Sequence, residues 1–152
     1  MKQFISLYFV LVLLAGCHNS EAQELIDQVD SRFDGVRSII VEGVFCDVTV
    51  KPGDNSQVHL LGEIRGTRGR DDFSIEVSQN GSEIKVWVDH PNNIRGVVKG
   101  FLSFKVPDNV ALKVKNVSGD VDVEKIGSDD MALSSVSGNI NVSGAGSNIL
   151  LE

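Results

Sequence analysis

The chain has 152 residues, enough for one domain with a modest core, and 41% of them are apolar. A formal charge of -7 argues against a non-specific nucleic-acid binder, which needs a cationic face to displace phosphate counterions. Fifteen glycines against three prolines, without apolar residues at helical spacing, point to strands and turns.

The chain opens MKQFISLYFVLVLLAGC: a positive residue, Lys2, an apolar run from Phe4 to Leu14, then small residues before Cys17. This is the pattern of a secretory signal. The run is far shorter than the ~20 residues a transmembrane helix needs, so cleavage is the expectation. The end of the run, Leu14-Ala15-Gly16-Cys17, resembles the bacterial lipobox. That resemblance implies removal of residues 1–16 and diacylglyceryl modification of Cys17, the one site residue expected here. The competing reading is an ordinary signal with a coincidental cysteine. Several acyl chains on Cys17 exceed what stable membrane anchoring requires. His18 stands where Asp signals inner-membrane retention in enteric-type bacteria, which points to the outer membrane. Residues 17–33 are then expected to be the lipidated Cys and a polar, flexible tether of roughly 20–25 Å, with a short helix over Ala22 to Val29 as the alternative.

Residues 34–152 are expected to form one domain. From Val36 the apolar spacing is two, the signature of strands. VRSIIVEGVFCDVTVKPGDN predicts two strands around Gly43, the second with Val44, Cys46, Val48 and Val50 on one face. Cys46 reads as a small buried hydrophobe, with a reactive or intermolecular thiol as the other reading. QVHLLGEI follows as a strand, then RGTRGRDD as a loop in which Arg65, Arg68 and Arg70 either cradle an anion or are simply solvated. FSIEVSQNGSEIKVWV predicts a hairpin turning at Asn80-Gly81, with Phe73, Ile75 and Val77 on the same side as Ile84, Val86 and Val88. Trp87 falls on the opposite side, either as a ligand platform or as cover for a neighbouring strand. DHPNNIRG is a loop, and VVKGFLSFKVPDN a strand closed by Pro107.

The last third repeats itself. NVSGDVDV at 116–123 and SVSGNINV at 135–142 superimpose with a shift of nineteen, pairing Val114 with Leu133, Val117 with Val136, Gly119 with Gly138, Val121 with Ile140, Val123 with Val142 and Gly127 with Gly146. Two short strands cannot bury an apolar edge alone, whereas stacked units share one core. The expectation is an all-β fold in which N-terminal strands and a hairpin lead into a right-handed β-helix or β-roll (a β-solenoid) with rungs of about 19 residues. Lys113, Asp122, Glu124, Asn139 and Asn141 would form outward rows. A meander of hairpins is the alternative, but it would not demand so long a register. Glu152 falls inside an expected strand, so either the chain is truncated or its last rung is an uncapped edge open to self-association.

The signal and lipobox, FDGVRSIIVEGVFCDVTVKPGD, the NG hairpin, FKVPDN and the SGDVDV…SGNINV units together resemble a bacterial adhesin-like lipoprotein family of the head-GIN, auto-transporter adhesin type. The resemblance covers residues 33–152. It implies a β-helical module of the cell envelope and carries no catalytic signature. Catalytic, cofactor and metal sites are therefore expected to be none. His18, His59 and His90 lack the spacing of a zinc site. Asp120, Asp122 and Glu124 invite calcium or glycosidase readings, but alternate acids on an outer strand face are usually solvating. Asn116 heads an Asn-x-Ser sequence that matters only in a eukaryotic secretory pathway. The functional expectation is a non-catalytic binding or scaffolding domain, anchored to the membrane through Cys17, with an envelope protein or a glycan as ligand. A polysaccharide lyase or hydrolase of the β-helix type is the alternative.

Overall fold

The computed structural model describes residues 23–53, 56–67, 72–94, 96–124, 130–144 and 149–151. These residues form strands and turns only: β1 (Glu24–Asp34), β2 (Ser38–Val44), β3 (Cys46–Pro52), β4 (Gln57–Gly66), β5 (Ser74–Asn80), β6 (Glu83–Asp89), β7 (Val98–Val106), β8 (Ala111–Ser118), β9 (Val121–Glu124), β10 (Met131–Ser137), β11 (Ile140–Ser143) and β12 (Ile149–Leu151). They make two six-stranded sheets, β1-β4-β7-β3-β9-β11 and β12-β10-β8-β2-β6-β5. We call them sheets A and B.

Each lap of the chain places one strand in sheet B and the next in sheet A. The laps β6–β7, β2–β3, β8–β9 and β10–β11 stack in that spatial order, with every neighbour parallel. β12 adds in parallel to β10. The first lap in sequence thus sits inside the stack. Antiparallel strands complete one end, with β4 and then β1 beyond β7 and with β5 beyond β6.

The core lies between the sheets and is built from aligned rows. In sheet B, Ile84, Ile39, Leu112 and Met131 stand side by side, as do Val86, Val41, Val114 and Leu133. In sheet A the rows are Leu102, Val48, Val121, Ile140 and Phe104, Val50, Val123, Val142. All are buried except the end members Ile140 and Val142, which are half-buried. Burying one such side chain contributes about 1.5–3 kcal/mol, and β-branched residues suit these pleated rows because their χ1 is already restricted.

Several expectations change. The sheets are mixed, so the whole domain is not a uniform helix of 19-residue rungs. A shift of nineteen relates only β8–β9 to β10–β11, and from β10 to β12 the shift is eighteen, with Met131 beside Ile149. Residues 24–33, read above as the end of the tether, with a short helix over Ala22 to Val29 as the alternative, instead lie in the eleven-residue strand Glu24–Asp34. Its side chains alternate between half-buried and exposed along most of its length, so the strand depends on its partner β4 more than on its own apolarity. The corner between β2 and β3 falls at Val44, with φ of 55°, and not at Gly43; Val44 therefore ends β2 and does not share the inward face of β3. The hairpin pairs Asn80 with Glu83, which leaves Gly81-Ser82 as its two loop residues. Only Gly81 (φ 59°) is left-handed there, as in a glycine-first II′ turn. Val117 and Val136 do repeat, but they project from the corner and are 51% and 82% exposed. Gly127 and Gly146 lie outside the described residues.

Candidate functional site

The repeated Ser-Gly-Asp/Asn corners are where stacking is tightest. Gly119 (φ 105°) and Gly138 (φ 150°) turn the chain from sheet B to sheet A. A Cβ on Gly119 would sit 2.6 Å from Cys46 O, and one on Gly138 would overlap Gly119 O, so only glycine permits this approach. Hydrogen bonds run from lap to lap. The Val48 N–H donates to Asp120 O at 2.8 Å and the Val121 N–H to Asn139 O at 2.8 Å. Side chains continue the relay: Asp47 Oδ1 accepts the Asp120 N–H at 3.0 Å, and Asp120 Oδ1 accepts the Asn139 N–H at 2.9 Å.

Inside the corner lies Asn116, only 4% exposed. Its Nδ2 donates to Cys46 O at 2.8 Å and to Gly119 O at 3.1 Å, tying two laps together. Burial removes Asn116 as a glycosylation acceptor. Its Oδ1, and Oγ of its neighbour Ser135, are buried without a hydrogen-bond partner among the described residues. The sequence signal for this role is a polar residue at the inward beat of Leu112-Val114-Asn116, and it was missed.

Cys46 is fully buried beside Gly100. Burial, and secondarily the Asp47 carboxylate, pushes its thiol up from 9.0 to about 12. A thiol held neutral in this way is neither a nucleophile nor a metal ligand at neutral pH. The packing reading of Cys46 holds.

The outer face of sheet A carries an open groove of about 660 Å³ whose polar lining is Thr49, Lys51, Asp122, Glu124, Asn141 and Ser143. Lys51 Nζ meets Glu124 Oε1 at 2.9 Å, and Asn141 Nδ2 donates to Asp122 Oδ1 at 2.8 Å. Of the expected outward row, Asp122, Glu124 and Asn141 are present on sheet A and Asn139 stands at the corner just before β11, while Lys113 lies on the outer face of sheet B. Such a groove offers carboxylates, amides, hydroxyls and one ammonium to a polar ligand.

Elsewhere the candidates disperse. His59 Nε2 lies 2.7 Å from Asp30 Oδ1, and His90 Nδ1 lies 3.0 Å from Pro91 O. Arg65 Nε pairs with Glu63 Oε2 at 3.0 Å. Trp87 is half-buried between Glu42 and Glu76 on the outer face of sheet B, with Lys85 Nζ 5.8 Å from its ring centroid. Lys85 also bonds Glu42 at 3.2 Å, so Trp87 serves as cover across β6 and β2. No group of three or more His, Cys, Asp or Glu among the described residues is placed to hold a metal ion. Cys17, His18, Arg68 and Arg70 lie outside the described residues, and among the described residues no helix is long and apolar enough to cross a membrane.

No curated protein matches the sequence. Solved structures similar to this chain include a "putative adhesin" from Bacteroides fragilis, with 15% identity over 79% of this chain and 62% of that one and a TM-score of 0.48. A "putative cell adhesion protein" from Clostridium sporogenes is 7% identical over 86% of this chain and 98% of that one, with a TM-score of 0.42. A "putative adhesin" from Parabacteroides merdae is 14% identical over 82% and 56%, with a TM-score of 0.38. The chain thus spans less than two thirds of the Bacteroides and Parabacteroides proteins. Residues 36–148, which contain the corner stack and every lap, match the family described as Toastrack DUF4097. This chain belongs to the Toastrack DUF4097 family, with its all-β, solenoid-like fold.

Proposed function

We propose that this protein is a lipid-anchored module of the bacterial cell envelope whose β-domain binds or scaffolds without catalysis, in the manner of an adhesin. The observation that carries this reading is the division of labour across the sheets. Inward positions are consumed by packing, Cys46 included, while the outer face of sheet A presents a polar groove of about 660 Å³ with its ion pair and its amide-to-carboxylate hydrogen bond already formed. A surface of this kind suits a hydroxyl-rich or extended polar ligand, and we assign a glycan or an envelope protein to it. The laps are taken to run right-handed, as nearly all parallel β crossovers do. A rung of about 19 residues is assigned to the C-terminal laps alone, and a head-GIN type of adhesin domain is part of this proposed reading.

The anchor rests on Leu14-Ala15-Gly16-Cys17 and the outer-membrane assignment on His18. β11 and β12 are the last described strands of their sheets, and a further strand, from the chain itself or from a partner, would extend both ladders. Two experiments test the reading. Metabolic labelling with a radiolabelled fatty acid should mark the wild-type protein and leave Cys17→Ser unmarked; labelling of both removes the anchor. A glycan array combined with an envelope-protein pull-down should give a ligand whose capture falls on Asp122→Ala and Asn141→Ala. Cleavage of any captured glycan would overturn the non-catalytic assignment.

A further inference from the structure

Strand β1 lies outside the residues that match the family, which begin at 36, yet it covers the full length of β4. Ten aligned pairs run from Glu24 beside Gly66 to Asp34 beside Gln57. β4 is shaped to receive it. Gly62 faces inward beside Val29, and a Cβ there would come within 2.9 Å of Val29 Cγ1 as well as of Ile75 Cδ1 and Leu102 Cδ2; a Cβ on Gly66 would come within 2.8 Å of Ile26 Cδ1. The two glycines are holes, and β1 supplies the knobs.

A third feature is polar. A register shift between Leu25 and Asp27 brings Asp27 Oδ2 to 2.7 Å from the N–H of Ile75, on the outermost strand of sheet B. One β1 carboxylate therefore satisfies a backbone donor of the opposite sheet. On the outer side, Asp30 meets His59 and Asp34 accepts from Gln57 Nε2 at 2.8 Å. β1 has a smaller stake in the core than β4 has. Ile26, Val29 and Phe33 are only partly buried, whereas Val58, Leu60 and Ile64 are completely so. A short link containing Gly35 (φ 66°) joins β1 to β2.

We propose that the edge of β4 is a strand-docking site which β1 occupies reversibly, and that its partner is the β1 of a second copy of this chain. The recognition elements select β1 itself: an Ile and a Val for two glycine holes, an Asp for a lone N–H, and an antiparallel ladder of matching length. An exchanged pair repeats every one of these contacts in trans, closing with two-fold symmetry. The intramolecular arrangement has an effective concentration on the order of mM, so exchange becomes populated where copies are crowded together. This inference is independent of the proposed ligand groove.

Arg32 and His59 are direct neighbours on β1 and β4. The test uses two full-length variants, Arg32→Cys and His59→Cys, each in a Cys17→Ser background; Cys46 is buried and will not compete. Mixed at concentrations from about 10 µM to about 1 mM and then oxidised, they should yield a disulfide-linked heterodimer whose fraction rises with concentration. The off-register mixture of Arg32→Cys with Glu63→Cys should yield none. A synthetic peptide of residues 23–35 should suppress the heterodimer, and the same peptide with Val29 and Phe33 replaced by Asp should not. If a variant fails to fold, Asp30→Cys with Leu61→Cys offers a second aligned pair. Absence of the heterodimer at the highest concentration, or equal yield from the off-register mixture, overturns the proposal.

Discussion

Gly100→Ala is the most informative single perturbation. Gly100 is an inward residue of β7 with an ordinary negative φ, so alanine is compatible with its backbone. In such a strand position the change should help by about 0.5–1 kcal/mol, because alanine has less freedom to lose on folding. Here the new methyl would overlap Cys46 Sγ and lie 3.2 Å from Cys46 Cβ and 3.3 Å from the Phe45 ring. Neither neighbour yields easily, since Cys46 is 0% exposed and Phe45 packs edge-on against Phe73 with ring centroids 5.6 Å apart. Overpacking of this kind costs about 1–3 kcal/mol, leaving a net loss of ~1–2 kcal/mol. Cys46→Ala alone opens a void the size of its sulfur and should cost about 1 kcal/mol. In the double variant the methyl added at position 100 occupies the space of the sulfur, so the two losses should not add, and a favourable coupling of ~2 kcal/mol is expected. Urea unfolding of the four proteins at neutral pH, with slopes compared, measures the cycle. A stabilising Gly100→Ala, or losses that add within about 0.5 kcal/mol, would show that sulfur and glycine do not share this space.

The Cys46 thiol also gives a pH dependence. Its proton is held more tightly when folded, so the stabilisation is complete below 9.0 and is lost as pH rises toward about 12; by pH 10.5 roughly 2 kcal/mol should be gone. The stability gap between wild type and Cys46→Ala should therefore shift by that amount between pH 8 and 10.5, and an unchanged gap would mean the thiol is solvated. Asn116→Ala deletes two donors to carbonyls at the corner and should cost ~2–3 kcal/mol in urea unfolding, whereas Ser135→Asn, which offers the same donors one lap later, should gain about 1 kcal/mol. Asn141→Asp replaces the donor to Asp122 with a like charge and should lose about 1 kcal/mol, a loss that shrinks in ~1 M salt.

Much of the fold was legible because period-two alternation directly reports which side of a strand is buried. Cys46, Val48 and Val50 are read as sharing one face, as are Phe73 and Ile75 with Ile84, Val86 and Val88, and all of them are buried. The repeat was legible for a related reason: a parallel register between equivalent residues is a constant shift in sequence, as Val121 beside Ile140 shows. What escaped notice depends on distant partners. The placement of Val41 beside both Val86 and Val114 follows from where β6 and β8 return, which no local pattern encodes. β1 escaped because Asp27 and Asp30 look like solvated tether until Ile75 and His59 stand opposite them. At the site, the corner glycines and outward acids were visible as types. The two-lap bridge of Asn116 required coordinates, because a lone inward asparagine does not reveal which carbonyls it meets.

The differences between the two units are as informative as their identities. Where the first has Gly119-Asp120-Val121-Asp122, the second has Gly138-Asn139-Ile140-Asn141. Glycine and the apolar beats are retained because close corner approach and the shared core admit little else. A parallel stack sets equivalent side chains directly beside each other, so replacing both aspartates by asparagines avoids a second carboxylate pair at this seam, where the preceding seam keeps Asp47 beside Asp120. The amide turns that contact attractive: Asn139 Nδ2 donates to Asp120 Oδ1 at 3.1 Å and Asn141 Nδ2 to Asp122 Oδ1 at 2.8 Å. At this seam the two laps are therefore alike inside and complementary outside, the amides of Asn139 and Asn141 meeting the carboxylates of Asp120 and Asp122.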